Sequence, residues 1–249
     1  MEIDEYRKMY ALEENFWWYR GMLRITRQIL GRYFEPGRDV RILDAGCGTG
    51  KMLQELDHYA NRPPLGFDFS SEAMKFLKMR GLGNVLQASA TEIPFKSGSF
   101  DLVTSFEVLC QLPGEDDLKA LREFRRVLKP AGKLYVRLPA YQWMYADHDR
   151  HQQTFRRYHR PDLIDRVEDS GFRILKISYA NFFLFPMLVF KRLVLERLGI
   201  LSGTSDLRPV PAGLNALLEI PLSIESRLLR YPSFRFPCGL SLVCLAEKK

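Results

Sequence analysis

One short stretch constrains the fold more than any other. Val40 to Asp44 reads as a brief buried strand that runs straight into the glycine-rich Ala45-Gly46-Cys47-Gly48-Thr49-Gly50. Lys51 to Tyr59 then continues with helical spacing. Three glycines between a strand and a helix let backbone approach a ligand where any Cβ would collide. Loops of this kind serve nucleotide-like molecules, and their spacing separates the kinds. A phosphate-binding P-loop needs Gly-Lys followed by Ser or Thr, whereas Met52 follows Gly50-Lys51. A dinucleotide fingerprint needs GxGxxG, whereas these glycines fall as GxGxG after an acid. That spacing argues against an NAD-dependent oxidoreductase.

The rest of the chain alternates in the same manner. Residues 1 to about 35 are predicted helical, with Leu23, Ile25, Ile29 and Leu30 on one side and Arg24 and Arg27 on the other. A second strand ends at Leu65-Gly66-Phe67-Asp68, and Ser70 or Ser71 caps a helix whose Ala73, Phe76 and Leu77 share a face. Further strands are predicted at Asn84 to Gln87, Phe100 to Phe106 and Leu134 to Leu138. A helix opened by Glu115, Asp116 and Asp117 precedes the last of these. Strand and helix in regular alternation imply parallel strands joined by right-handed crossovers. Ligands then sit at the carboxyl ends of the strands, where strand order reverses.

Four blocks now carry a resemblance. ILDAGCGTG, GFDFS (66–70), IPFKSGSFDLVTSFEVL (93–109) and LREFRRVLKPAGKLYV (121–136) resemble, in order and spacing, the class I S-adenosylmethionine-dependent methyltransferases. The likeness covers roughly residues 40 to 140. It implies a Rossmann-like α/β fold, a mostly parallel seven-stranded sheet with helices on both faces. An N-terminal helical cap would cover residues 1–35, and the S-adenosylmethionine-binding core residues 36–180. Residues 181–249 would add a helical elaboration and a final sheet-edge strand. Residues 172–185 are expected to form a returning strand pair at the far edge.

The resemblance also implies site residues. Asp44 would hold the methionine amino group of S-adenosylmethionine, and Gly46, Cys47, Gly48 and Gly50 would pass beneath the cofactor. Asp68 would accept the ribose hydroxyls and Phe69 would flank the adenine. Ser89, Ala90 and Thr91 correspond to the stretch at the adenine edge, with Ser89 in place of the usual aspartate. Glu107 follows the fourth strand, where Cys110-Gln111 replaces the common Glu-His. Some members of the family resemble this chain further, through Glu14 to Arg20, through residues 139–158 and through Phe236 to Ser241. They often carry a histidine where Thr154 stands.

Methyl transfer from a sulfonium is an in-line displacement, governed by alignment and exclusion of water. A general base is needed only for a poorly ionised acceptor. His148, beside Asp149, is the candidate base, with a structural histidine as the alternative. Candidate acceptor contacts are Trp17 and Trp18, read either as a lid or as a packed helix, and Tyr141 and Trp143. Arg156, Arg157 and Tyr158 complete the set, either binding an acceptor phosphate or carboxylate or forming a solvated basic face.

Composition bounds the partners. The 249 residues carry a formal net charge of +7, which suits an anionic partner without identifying one. Residues 188–198 place Leu188, Val189, Leu193, Val194 and Leu198 among Lys191, Arg192 and Arg197, the pattern of an interfacial membrane helix, a lid or a dimer helix. The longest apolar run, Phe182 to Phe190, falls short of the roughly 18–20 residues of a spanning helix. The acidic N-terminus does not read as a secretory signal. Cys47, Cys110, Cys238 and Cys244 have neither CxxC nor metal-ligand spacing and read as reduced thiols. The expected setting is cytoplasmic, at or away from a membrane surface, with no metal. The expected acceptor is a small, sugar- or lipid-linked molecule. A non-catalytic cofactor-binding subunit is the first alternative. A nucleic-acid methyltransferase is disfavoured, because Ser105-Phe106-Glu107-Val108 replaces the Asn/Asp-Pro-Pro-aromatic motif of amino-methylating enzymes.

Overall fold

The computed structural model describes residues 1–195 and 208–249. Helices α1 (Ile3–Leu12) and α2 (Trp17–Leu30) open the chain, separated by a turn over 13–16. There follow β1 (Ile42–Ala45), α3 (Lys51–Leu56), β2 (Leu65–Asp68), α4 (Ser71–Met79) and β3 (Val85–Gln87). Next come β4 (Phe100–Phe106), α5 (Asp116–Val127), β5 (Leu128–Pro139), α6 (Asp147–His151), α7 (Arg160–Asp169) and β6 (Phe172–Ala180). Helix α8 (Phe185–Phe190) widens into a π turn over Lys191–Leu195. Helix α9 (Ala212–Leu229) and β7 (Ser241–Lys248) complete the described chain.

The strands lie in the order β3-β2-β1-β4-β5-β7-β6. Strands β1 to β5 pair in parallel, and β7 runs antiparallel between β5 and β6. β1 is buried along its whole length and β4 along most of it, as strands covered on both faces must be. This is the expected Rossmann-like sheet. β1 has β2 on one side and β4 on the other, so the crossovers leave in opposite directions and open a crevice at their carboxyl ends.

Two expectations at the far side of the sheet are corrected. The last strand, β7, is not the edge: it inserts between β5 and β6, and β6 is the edge. Its run Ser241 to Ala246 is buried throughout, which suits an interior position. β6 carries the edge features instead, with the exposed Arg173 and a register shift between Ile174 and Lys176. Residues 172–185 therefore contain one strand rather than a pair, its partner arriving from the far end of the chain.

A single apolar cluster extends from Phe16 to Ala246 and includes residues of α2, the sheet and α9. Helices α2 and α9 pack closely because Gly21 has no side chain; a Cβ there would overlap Leu222. Helix α1 meets this cluster through Leu12 at its C-terminal end. Its Tyr6 belongs to a small satellite group with Cys47, Ala73 and Leu77.

Candidate active site

A cavity of about 1570 Å³ opens at the carboxyl ends of β1 and β4. The glycine loop forms its floor. The N–H groups of Gly46 and Cys47 both donate to the Phe67 carbonyl, at 2.8 and 2.9 Å, which fixes the loop against β2. Asp68 ends β2 and is buried; it accepts from the Gly48 and Ser70 N–H groups, both at 2.9 Å, and from the Tyr6 hydroxyl at 3.3 Å. Burial raises its pKa above the ordinary carboxylate value. Phe69 projects at the rim, 77% exposed. Ser89, Ala90 and Thr91 line the same wall, with the Ser89 hydroxyl turned to Thr91 at 2.8 Å.

Asp44 lies at the bottom of the crevice and is almost wholly enclosed. One carboxylate oxygen accepts from the Thr104 hydroxyl at 2.7 Å, while the other has no hydrogen-bond partner among the described residues. Burial outweighs the Thr104 hydrogen bond and pushes the pKa of Asp44 up to about 7. An unsatisfied buried carboxylate oxygen is costly, and a cationic donor would relieve that cost.

Helix α1 crosses over this half of the cavity. Besides the Tyr6 contact, Glu13 accepts the Thr49 hydroxyl at 2.6 Å and pairs with Arg80. The other end of α1 is tied to α6: Glu2 pairs with His151 at 3.0 Å, and Gln152 donates to Glu5 at 3.0 Å.

The second half of the cavity lies beyond Glu107. That residue has left-handed backbone (φ 59°), and its carboxylate accepts from Arg137 at 3.0 Å. Arg137 lies over the rings of Trp18 and Phe106, 4.9 Å from each. Trp17, Trp18 and His148 line the wall, as does Arg157. Arg157 donates to Asp149 at 2.8 Å, and Arg192 stands 3.5 Å from the same carboxylate. Asn181 follows β6 with φ 62° and is fully buried, and neither polar atom of its side-chain amide has a partner among the described residues. Glu225 of α9 holds that turn by accepting the Asn181 and Phe183 N–H groups. Leu188, Lys191, Arg208 and Val210 line the outer part.

A profile of the methyltransferase domain family matches residues 43–136, from β1 through β5. An uncharacterized protein of Methanocaldococcus jannaschii is 31% identical over 163 residues, covering 66% of this chain and 67% of that protein. The chain belongs to the class I S-adenosylmethionine-dependent methyltransferases. The cycloartenol-C-24-methyltransferase of Arabidopsis thaliana is 30% identical over 120 residues, covering 45% of this chain and 33% of its own length. A solved methyltransferase from Archaeoglobus fulgidus shares the fold, with a TM-score of 0.59 at 20% identity over 96% of this chain and 99% of its own. This methyltransferase is therefore an enzyme that uses S-adenosylmethionine. The residues present fit that cofactor. The unpartnered oxygen of Asp44 suits an ammonium group, and the buried carboxylate of Asp68 lies beside the glycine floor.

The cavity of the methyltransferase brings together Asp44, Gly46, Cys47, Gly48, Asp68, Phe69, Ser89, Ala90, Thr91 and Glu107. Five sequence-derived candidates lie outside it. Gly50 begins α3 with φ 88° and faces α4, where a Cβ would come within 2.7 Å of Leu77; its role is helix packing. Tyr158 is buried, and its hydroxyl donates to Asp117 at 2.7 Å. Arg156 reaches Asp117 and the Gly114 carbonyl on the outside of the cavity. Tyr141 stacks on Tyr179 at 5.1 Å, and Trp143 lies 5.4 Å from Tyr141. The Asp149 carboxylate is engaged by Arg157 and the Ala146 N–H. Sequence reading missed Tyr6, Glu13, Arg137 and Asn181. Only Arg137 left a signal, a charge inside the buried strand Leu134 to Leu138.

The region over 188–198, read as an interfacial, lid or dimer helix, is described only in its first part. Helix α8 ends at Phe190, and Leu188, Lys191 and Arg192 line the cavity. Arg197 and Leu198 lie outside the described residues.

Proposed function

We propose that this methyltransferase acts on a small organic acceptor with an apolar body and an anionic group, of the size of a lipid-like or sugar-linked molecule. The observation that carries this reading is the cavity. Its volume of about 1570 Å³ exceeds the roughly 300–1,000 Å³ of an ordinary small-molecule pocket. It therefore has room for a cofactor and a sizeable acceptor at once. Leu188 and Val210 furnish apolar wall at the outer end, and Lys191 and Arg208 furnish positive charge. The relative named for cycloartenol methylation supports an acceptor with an apolar body.

S-adenosylmethionine, when bound, supplies a methyl group activated by its sulfonium. Asp44 receives the ammonium group, Asp68 the ribose hydroxyls, and Phe69 with the backbone of Ala90 the adenine. Glu107 and Arg137, fixed to each other and to Trp18, form the waist between the cofactor and acceptor sides. Their role is to align the acceptor atom for in-line attack and to exclude water. His148 takes the acceptor's proton where the acceptor is a hydroxyl or amine. The side-chain amide of Asn181, a donor and an acceptor on a turn whose backbone Glu225 holds, hydrogen-bonds a polar group of the acceptor.

The test supplies methyl-labelled S-adenosylmethionine and a total cell extract, then separates organic-soluble, aqueous small-molecule and macromolecular fractions. Label is expected in the organic-soluble or small-molecule fraction. Label confined to RNA or protein would overturn the assignment of the acceptor class.

A further inference from the structure

Helix α9 has two unlike faces. The inner face buries Glu219, Leu222, Glu225, Ser226 and Leu229. The outer face carries Leu214, Leu217, Ile220 and Ile224, each 44–61% exposed. Steps of three, three and four residues place these side chains on one stripe along the helix. Scattered exposed hydrophobes are ordinary, but a continuous row of four large aliphatic residues marks a surface that meets something.

The charges around the stripe say what it meets. Between residues 208 and 236 the acids are Glu219 and Glu225, and both are buried. Glu219 pairs with Arg20 and Arg24 of α2, and Glu225 holds the 181–183 turn. The exposed charges of that stretch are Arg208 before the helix, Arg227 and Arg230 at its end, and Arg235 beyond it. The face is thus aliphatic along its length and cationic at both ends. A second copy of this chain is a poor occupant, because a two-fold contact brings the same face against itself and, among the described residues of α9 and its flanks, the arginines have no exposed acids opposite. A bilayer with anionic headgroups satisfies both features, burying the aliphatic row while the arginines stay among phosphates. No helix among the described residues is long and apolar enough to cross a membrane, so contact of this kind lies along the surface.

We propose that the outer face of α9, flanked by Arg208, Arg227 and Arg230, docks this methyltransferase on an anionic lipid bilayer. The inference deepens the reading of a lipid-like acceptor. Arg208 and Val210, just before α9, and Leu188 of α8 line the acceptor end of the cavity. The segment that leads into the bilayer-facing helix thereby also borders the proposed acceptor end of the cavity.

The experiment co-sediments the full chain with vesicles of phosphatidylcholine alone and of phosphatidylcholine mixed with phosphatidylglycerol. Binding to the anionic vesicles is expected to be at least about tenfold tighter and to weaken with added salt. The double variant Leu217→Ser/Ile220→Ser should bind at least about tenfold more weakly, and Arg227→Ser about fivefold more weakly. These side chains point outward, and S-adenosylhomocysteine affinity, read by calorimetry on the same proteins, should stay within about twofold of the parent. Absence of vesicle binding, or equal binding by the parent and the double variant, overturns the proposal. So does a dimer in light scattering that the double variant abolishes, which would assign the face to a second copy. Cofactor binding is measured separately, so its failure would count against the methyl-transfer reading and not against docking.

Discussion

At Asp44 the requirements of folding and of ligand binding oppose each other. Burial lifts its pKa from 3.8 to about 7, so below pH 7 the folded protein without ligand favours the protonated acid. A raised folded-state pKa gives stability that is complete below the ordinary carboxylate range and is lost as pH rises toward 7. The proposed ammonium contact has the opposite preference, because it needs the carboxylate. S-adenosylhomocysteine affinity should therefore be about tenfold weaker one pH unit below 7 than at its plateau, and level off about a unit above. Asp44→Asn, measured above pH 7, should melt higher than the parent without ligand and bind at least about tenfold more weakly. Calorimetry across pH and thermal melts check both parts, and a flat affinity profile would remove Asp44 from the ammonium contact. Asp44, Gly46, Gly48 and Asp68 were legible in the sequence because their spacing is set by backbone geometry, which a linear motif records. Glu13 and Tyr6 were not, since their partners Thr49 and Asp68 lie 36 and 62 residues away and only the fold brings them together.

Among the elements, α1 departs most from what its sequence suggested. The first 35 residues read as one helical cap with Trp17 and Trp18 as its notable side chains. In the fold Trp17 joins the main apolar cluster, Trp18 stacks on Arg137, and the covering of the cofactor half falls to α1. That helix is held mainly by polar ties and a small satellite cluster, and reaches the core only through Leu12 at its end. Elements with little apolar burial open at a lower free energy than the rest of a protein. In hydrogen exchange, α1 amides are accordingly expected to exchange faster than those of β1 and β4, and to gain protection when S-adenosylhomocysteine binds. Removal of residues 1–12 should leave the sheet folded by circular dichroism and weaken that binding by about tenfold or more. Protection of α1 equal to that of β4 without ligand would show that it is part of the rigid core and not a cover. The strands of the first half were legible because parallel, doubly covered strands are short apolar runs between turn signals. β7 was misplaced because a strand's rank in a sheet depends on pairing between distant segments, which periodicity does not encode.

For the molecule as a whole, the beginning, middle and end of the chain share a continuous interior. α2 from the beginning of the chain packs on α9 from near its end, and β7 completes the sheet between β5 and β6. The acceptor half of the cavity depends on this closure, since Asn181 is held by Glu225 of α9 and Leu240 and Ser241 at the start of β7 contribute wall. The proposed acceptor side was illegible for this reason: Asn181, Leu188, Lys191, Arg208 and Ser241 of its wall lie beyond residue 136, where the family profile ends. The seam between α2 and α9 tests how tightly the parts are joined. A Cβ at Gly21 would overlap Leu222, and helix axes this close relieve such an overlap only by separating. Gly21→Val is expected to cost about 1–3 kcal/mol, lowering Tm by roughly 2–10 °C for a chain of this size. Because one apolar cluster spans α2, the sheet and α9, the fluorescence of the three tryptophans, Trp17, Trp18 and Trp143, and far-ultraviolet circular dichroism should change in a single coincident transition. Binding of S-adenosylhomocysteine below that transition should stay within about twofold of the parent, since Asp44 and Asp68 lie outside the seam. Two separated transitions would mean that the α2–α9 layer melts on its own. The acceptor half would then be a module attached to the sheet rather than a continuation of it.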